Sequence, residues 1–411
     1  MDERASTAPQ NGKLPRCARC GFALVRAEAL ADADGDPFLG ATVAGRFVVT
    51  ARLGAGSMGT VYRARQEAMG RDVAIKILRS DRAFDAQAKA RFTREARAMS
   101  LLASPHTVTV FDFGEIPDDH GDELGRGASL YLAMELLEGE SLGARLKRLK
   151  RLPVEQAARI ARHALLSLAE AHEKGVIHRD LKPDNLFLAR APGGAEEGEI
   201  CKVLDFGIAK VVSMEAAAVD ALETQAGTVF GTPRYMSPEQ AQGKALDARS
   251  DLYSLGVLLY QMLVGRPPFV DDDAVVVMAR HIKTVPVAPV EAAPGVGIPQ
   301  ALSDVVMRAL AKDPNDRPAS ARDLIAELDA AVSRRASERP PRSEAGAAAT
   351  GELAAMSRDD LEAPTSVSKP PRGRSVAWVG VGAALVVGAA VAFVSVLRHG
   401  GASTMDATAT T

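Results

Sequence analysis

The segment Val176–Leu188, VIHRDLKPDNLFL, sets two apolar edges around His178, Arg179, Asp180, Lys182, Asp184 and Asn185. Two readings compete for it. Asp and Asn are common in turns, so it can be a surface turn. It can also be a catalytic loop held between two strand-like segments, VI and LFL, with Asp180 as the working residue. The rest of the chain decides between them.

Downstream, KVLDFGIAK places Asp205 after the apolar Val203 and Leu204 and before Phe206 and Gly207. Phosphoryl transfer needs metal ions bridging phosphate oxygens, a group that orients a hydroxyl nucleophile, and cations that offset charge. Asp205 and Asn185 offer oxygen ligands suited to magnesium. Asp180 can accept the hydroxyl proton, and Lys182 can neutralise the transferring phosphoryl group. Upstream, LGAGSMGTV runs from Leu53 to Val61, with Gly54, Gly56 and Gly59 spaced by Ala55, Ser57 and Met58. Such glycines let backbone N–H groups approach phosphates. A dinucleotide-binding fold would open a helix at this point; here the chain enters the strand-like TVYRA, which favours a Gly-rich hairpin over a nucleotide.

Lys76 sits within the apolar run VAIK, 17 residues after Gly59. An unpaired charge is costly to bury, so it is either an edge-strand Lys facing water or one with a carboxylate partner. Glu95 is the only Glu between Lys76 and Phe113, and it shares a helix face with Phe92 and Met99. If that face packs on the sheet, Glu95 points toward Lys76. Each residue alone has a bland reading. Their joint occurrence, in order, argues for the catalytic one.

Around these motifs the chain changes character several times. RFVVTARLGAGSMGTVYRARQ reads as strand, turn, strand. RDVAIKIL, TVTVFDFGEI and LYLAMELL read as further strands, and FDAQAKARFTREARAMSLLA as a helix. After Gly139 helices take over: VEQAARIARHALLSLAEAHEKG stops at Gly175, and SDLYSLGVLLYQMLVG and ALSDVVMRALAK follow. Mostly β and then mostly α implies an α+β body of two lobes. We divide the chain into a leader (1–45), the two-lobed domain (46–331), a disordered Arg-, Ser-, Pro- and Ala-rich linker (332–375), an apolar span (376–397) and a short tail (398–411).

Val376–Leu397 carries no charge over 22 residues, enough to cross a bilayer core of about 30 Å. Lys369, Arg372 and Arg374 precede it and Arg398 follows, which places its N-terminal side in the cytoplasm. Gly380, Ala384 and Gly388 have the small-residue spacing through which such spans pair, so a homodimer is one expectation. Met1–Gln10 is polar and is not read as a secretory signal. The 50 basic and 52 acidic residues are nearly balanced, which argues against a nucleic-acid partner. The three cysteines make no disulfide framework. Cys17 and Cys20 form a C-x-x-C knuckle, but no second pair follows and Cys201 belongs to the two-lobed domain. A structural zinc site needs four ligands, so two thiols in a flexible leader, without zinc, is the expectation.

Residues 47 to about 331 resemble the eukaryotic-type protein kinase family, and within it the bacterial membrane-bound serine/threonine kinases. GAGSMGTV, VAIK, HRDLKPDN, DFG and SPE at 237–239 carry the resemblance. DLYSLGVLLYQMLVGRPPF and Arg317 in DPNDRP continue it. It implies the two-lobed kinase fold, with a β-rich N-lobe and a helical C-lobe, here followed by one transmembrane helix at the inner membrane. It implies ATP with Mg2+, or Mn2+ in its place, and protein substrates bearing Ser or Thr. The Gly-rich loop would cover ATP, Lys76 would hold its phosphates, and Glu95 would pair with Lys76 in the active state. Leu53, Val61, Ala74 and Phe187 would wall the adenine, the backbone of Glu135 and Leu137 would bind its edge, and Met134 would be the gatekeeper. Asp180 would be the base, Lys182 its phosphate-facing partner, and Asn185 and Asp205 the metal ligands. Phe187 stands where many members have Leu. Lys182 and Thr232 resemble the serine/threonine branch. Arg179 beside Asp180 implies control by a phosphate on the activation segment, with Thr224 and Thr228 as candidate sites. A pseudokinase scaffold and a metal-dependent interaction module are the rival readings. Completeness of the catalytic set weighs against the first, and the missing second ligand pair against the other.

Overall fold

The computed structural model describes residues 13–18, 21–26, 29, 36–56, 59–78, 86–116, 129–190, 198–206 and 233–338. The N-terminal part is a six-stranded antiparallel sheet. In chain order its elements are β1 (Thr42–Val43), β2 (Phe47–Gly56), β3 (Gly59–Gln66), β4 (Arg71–Leu78), helix α1 (Ala86–Ser100), β5 (Val110–Ile116) and β6 (Ser129–Glu135). The spatial order is β1-β2-β3-β4-β6-β5. Side chains alternate faces along a strand, and β4 shows the consequence. Val73, Ile75 and Ile77 join one apolar cluster with Phe47, Tyr62 and Tyr131. Ala74 and Leu78 join the large core, which continues into the helical part. Lys76 shares their face, so the strand's own period aims it at the junction between lobes. Helix α1 packs Phe92, Ala96 and Met99 inward, with Phe92 edge-on to Phe113 of β5 at 6.4 Å.

The second part begins with β7 (Gly139–Ser141), α2 (Leu142–Leu149) and α3 (Val154–Glu173). β8 (Leu186–Ala189) and β9 (Ile200–Val203) complete a small sheet in the order β7-β8-β9. Helices α4 (Pro238–Ala241), α5 (Ala248–Val264), α6 (Ala274–Lys283), α7 (Pro289–Ala292), α8 (Gln300–Ala309) and α9 (Ala321–Glu338) follow. α5 is capped by Asp247 and closed by Gly265 at φ 95°. It is buried on nearly every side, as expected of a helix apolar all round.

Several expectations need correction. Only LFL of the opening segment becomes a strand. Val176 and Ile177 have no ladder partner, and the next amides bond to a side chain instead, as described below. Strands do not end at Gly139, since β7–β9 lie within the helical half. The leader, expected to be flexible, is packed where it is described. Ala23 is buried, Ala23 N–H donates to Gly40 O and Leu24 N–H to Pro15 O, and Arg16 pairs with Glu67 at 3.4 Å. Leu39 and Val43 close the outer apolar cluster of the sheet. Helix α9 runs to Glu338, into the segment read as linker. No helix among the described residues is long and apolar enough to cross a membrane. The span read at 376–397 lies outside the described residues, as do Ser57, Met58, Cys20, Thr224, Thr228 and Thr232.

Candidate active site

The catalytic loop is shaped by groups that donate to or accept from its backbone. Asp251, in the first turn of α5 and 1% exposed, accepts from His178 N–H at 2.8 Å, Arg179 N–H at 2.9 Å and His172 Nε2 at 2.8 Å. Gln240 Nε2 donates to Arg179 O at 2.7 Å. This grip holds Arg179 at φ 64°, a conformation L residues rarely adopt. His178 is fully buried. Its Nε2 donates to Leu204 O at 2.8 Å and its Nδ1 accepts from Asp180 N–H at 3.3 Å. Burial lowers its pKa, so the ring is a neutral spacer. Phe206 packs on it, with ring centroids 4.8 Å apart.

This frame presents Asp180. Lys182 Nζ donates to its carboxylate at 2.8 Å. Asn185 Nδ2 donates to Asp180 O at 2.8 Å and approaches Asp180 Oδ2 at 3.3 Å. Across the site Asp205 sits at φ 49° and pairs with Lys76, Nζ to Oδ2, at 2.7 Å. This is not the partner expected for Lys76. Glu95 pairs instead with its neighbour Arg94 at 3.2 Å, while the Lys76 ammonium is taken up by Asp205.

Above the catalytic loop, Ala74 and Met134 face each other across β4 and β6, both 7% exposed, and Val61 opposes Lys76 across β3 and β4. Val61 and Leu137 pack on the core from its edge, Phe187 is half-buried, and Leu53 is exposed. Gly54, Ala55 and Gly56 end β2 opposite Val61, Thr60 and Gly59. Gly59, at φ 154°, approaches β4 so closely that a Cβ would lie 2.2 Å from Ile77 O. Glu135 N–H is bonded to Thr109 O, while its carboxylate accepts from Thr109 N–H and Lys202 Nζ, each at 2.7 Å. Below the loop, Glu239 of α4 meets Arg317 at 2.7 and 2.9 Å.

The sequence reading did not single out Asp251, Gln240 or Lys202. Asp251 left a faint signal: a carboxylate in the first turn of a helix that is otherwise apolar all round must be buried, and a buried carboxylate needs donors. Gln240 and Lys202 gave none, since their partners are distant in sequence.

Two lobes meeting at a glycine hairpin, a strand lysine and a loop of Asp, Lys and Asn define the protein kinase architecture. The family profile for the protein kinase domain matches residues 47–327, and the chain belongs to the protein kinase family. The serine/threonine-protein kinase pkn3 of Myxococcus xanthus is 41% identical over 334 residues, covering 81% of this chain and 58% of pkn3. The serine/threonine-protein kinase PknB of Mycobacterium leprae is 38% identical over 276 residues, covering 67% of this chain and 41% of PknB. The crystal structure of the Mycobacterium tuberculosis PknI kinase domain, as a C20A mutant, matches with a TM-score of 0.53 at 26% identity, over 71% of this chain and 97% of that one. The chain thus spans less than two thirds of either curated relative.

The geometry around Asp251 makes a direct prediction. Asn at this position would turn an NH2 group toward one of the backbone donors and leave it unsatisfied, at a cost of about 1–3 kcal/mol. We expect Asp251→Asn to slow turnover about tenfold while the KM for ATP changes little. Steady-state kinetics beside a denaturation curve checks this.

Proposed function

We propose that the chain is a serine/threonine protein kinase that transfers the γ-phosphoryl group of ATP to Ser and Thr hydroxyls of proteins. The observation that carries this is Asp180, held by Lys182 and Asn185 on a buried frame and faced by the Lys76–Asp205 pair. The family uses ATP with a divalent metal, and the residues suit one. Asn185 Nδ2 is committed to Asp180, which leaves Oδ1 as a donor oxygen, and Asp205 adds a carboxylate. Hard cations such as Mg2+ take oxygen ligands of this kind. When bound, Mg2+ would offset charge on the ATP phosphates.

The chain's own residues do the rest. Asp180 orients the substrate hydroxyl and takes up its proton. Lys182, already bonded to Asp180, counters charge on the transferring group. Lys76 exchanges Asp205 for the phosphates of ATP, and Val61, Ala74 and Met134 on β3, β4 and β6 line the adenine site. Purified chain given γ-labelled ATP and Mg2+ should label Ser- and Thr-containing peptides and leave Tyr peptides unlabelled; no transfer, or transfer to Tyr alone, would refute the reading. The complete catalytic set disfavours a scaffold without catalysis.

The same proposal includes regulation and place. Arg179 would receive a phosphate carried by Thr224 or Thr228, which mass spectrometry of active protein should find on one of them. Val376–Leu397 would anchor the kinase in the inner membrane, with the catalytic domain cytoplasmic and self-association through the span. A reporter fused after Thr411 should then behave as extracytoplasmic.

A further inference from the structure

Residues 36–43 of the leader precede the stretch matched by the family profile, which begins at Phe47, yet they are bonded to both strands of the glycine hairpin. On β2, Gly40 N–H donates to Val49 O and Val49 N–H to Ala41 O, each at 3.0 Å. Thr42 and Val43 continue as β1 opposite Val48 and Phe47. The leader thus takes up the sheet edge that β2 would otherwise present. On β3, the Tyr62 hydroxyl donates to the Asp36 carboxylate, 3.0 Å from each oxygen. Asp36 Oδ1 also accepts from Phe38 N–H at 3.0 Å, and the Phe38 ring lies 5.9 Å from that of Tyr62.

Strand alternation makes this grip bear on the nucleotide side. Tyr62 joins the outer apolar cluster with Leu39 and Val43, while its neighbour Val61 turns to the opposite face, opposite Lys76. Past Val49, β2 pairs with β3 alone, so residues 50–56, which carry Gly54 and Gly56, hang from β3. The pairing slips between Val49 and Ala51 and again between Arg52 and Gly54, and such bulges bend a strand. The leader therefore holds both strands at the root of that bend, with Tyr62 about 10 Å of strand from Gly59. We propose that Asp36 is a positioning residue for ATP: through Tyr62 it fixes where β2 carries Gly54 and Gly56 relative to the phosphates. This rests on the kinase reading above. A brace that only supported the fold would lower stability and leave the KM for ATP of folded protein unchanged. A brace that sets the hairpin raises that KM and spares kcat once ATP saturates.

The test is a double-mutant cycle in the full chain. Asp36→Ala and Tyr62→Phe should each raise the KM for ATP about fivefold and change kcat less than about twofold, and the double variant should be no worse than Asp36→Ala alone. An unchanged KM, or increases that multiply, would overturn the proposal. Tyr62→Phe keeps its ring in the apolar cluster, so it carries the KM comparison even if Asp36→Ala does not fold. Amide hydrogen exchange supplies a readout that needs no activity. Tyr62→Phe should speed exchange in peptides spanning 47–56 and leave those of α8 unchanged; unchanged exchange in 47–56 would also overturn it. If wild-type protein phosphorylates nothing, the kinase reading falls, and the exchange result still decides whether the Asp36–Tyr62 bond holds the hairpin.

Discussion

Asp180→Asn is expected to cut phosphate incorporation by about 10²–10⁴-fold, the usual contribution of a positioned proton acceptor, with little change in stability. The contrast follows from what the carboxylate touches. Lys182 and Asn185 both donate to Asp180, and an Asn Oδ1 can still accept from either. The loop backbone is held independently, through His178 and Asp251. What Asn cannot do is take a proton from a hydroxyl. Labelled-ATP incorporation beside a thermal melt separates the two quantities. Equal incorporation by both proteins would remove Asp180 from its role. Lost incorporation with a collapsed melt would instead make Asp180 a structural residue.

The sequence announced its chemistry more clearly than its supports. RDVAIKIL coincides with β4, and strand alternation alone puts Lys76 on the face of Ala74 and Leu78. The charge density of HRDLKPDN marks a loop whose polar groups need partners. The partners were harder to read. Asp251 contacts the catalytic loop from more than seventy positions away, and its apolar helix hints that it is buried without showing which donors it meets. Lys76 illustrates a second limit. Its face follows from the period of the strand, but its partner depends on how α1 and Asp205 are placed by packing, and two carboxylates of similar chemistry compete for it. The leader shows a third. Phe38, Leu39 and Val43 are too few to read as a core by themselves; Leu39 and Val43 are buried, and Phe38 partly so, because β2 and β3 offer an open apolar face.

Arg317→Leu should destabilise the domain by about 3–5 kcal/mol, because it leaves Glu239 buried without its cation. The guanidinium is 0% exposed, and all five of its N–H groups are used. Nε donates to Ala311 O, one terminal nitrogen to Glu239 Oε1 and Arg249 O, and the other to Glu239 Oε2 and Lys312 O. Ser250 donates to the same carboxylate at 2.6 Å. Burial raises the Glu239 pKa, but Arg317 and Ser250 overcome it and bring it down to about 2. A carboxylate depressed in the folded state contributes stability that is complete above its unfolded pKa, near 4.5, and is lost as pH falls toward 2. Between those limits Glu239→Gln should therefore lose less stability with acid than the wild type, although it is weaker at neutral pH. Glu239 stands in α4, directly after Pro233–Tyr235, so the pair ties the chain entering the helical core to the loop before α9. Arg317→Lys should not rescue, since an ammonium has three donors and no fork to span both carboxylate oxygens and the three carbonyls. The double change Glu239→Leu with Arg317→Met should be more stable than either single one, because it removes the stranded charge; chemical denaturation of the four proteins measures the difference, and additive losses would show that the two side chains do not act as a pair.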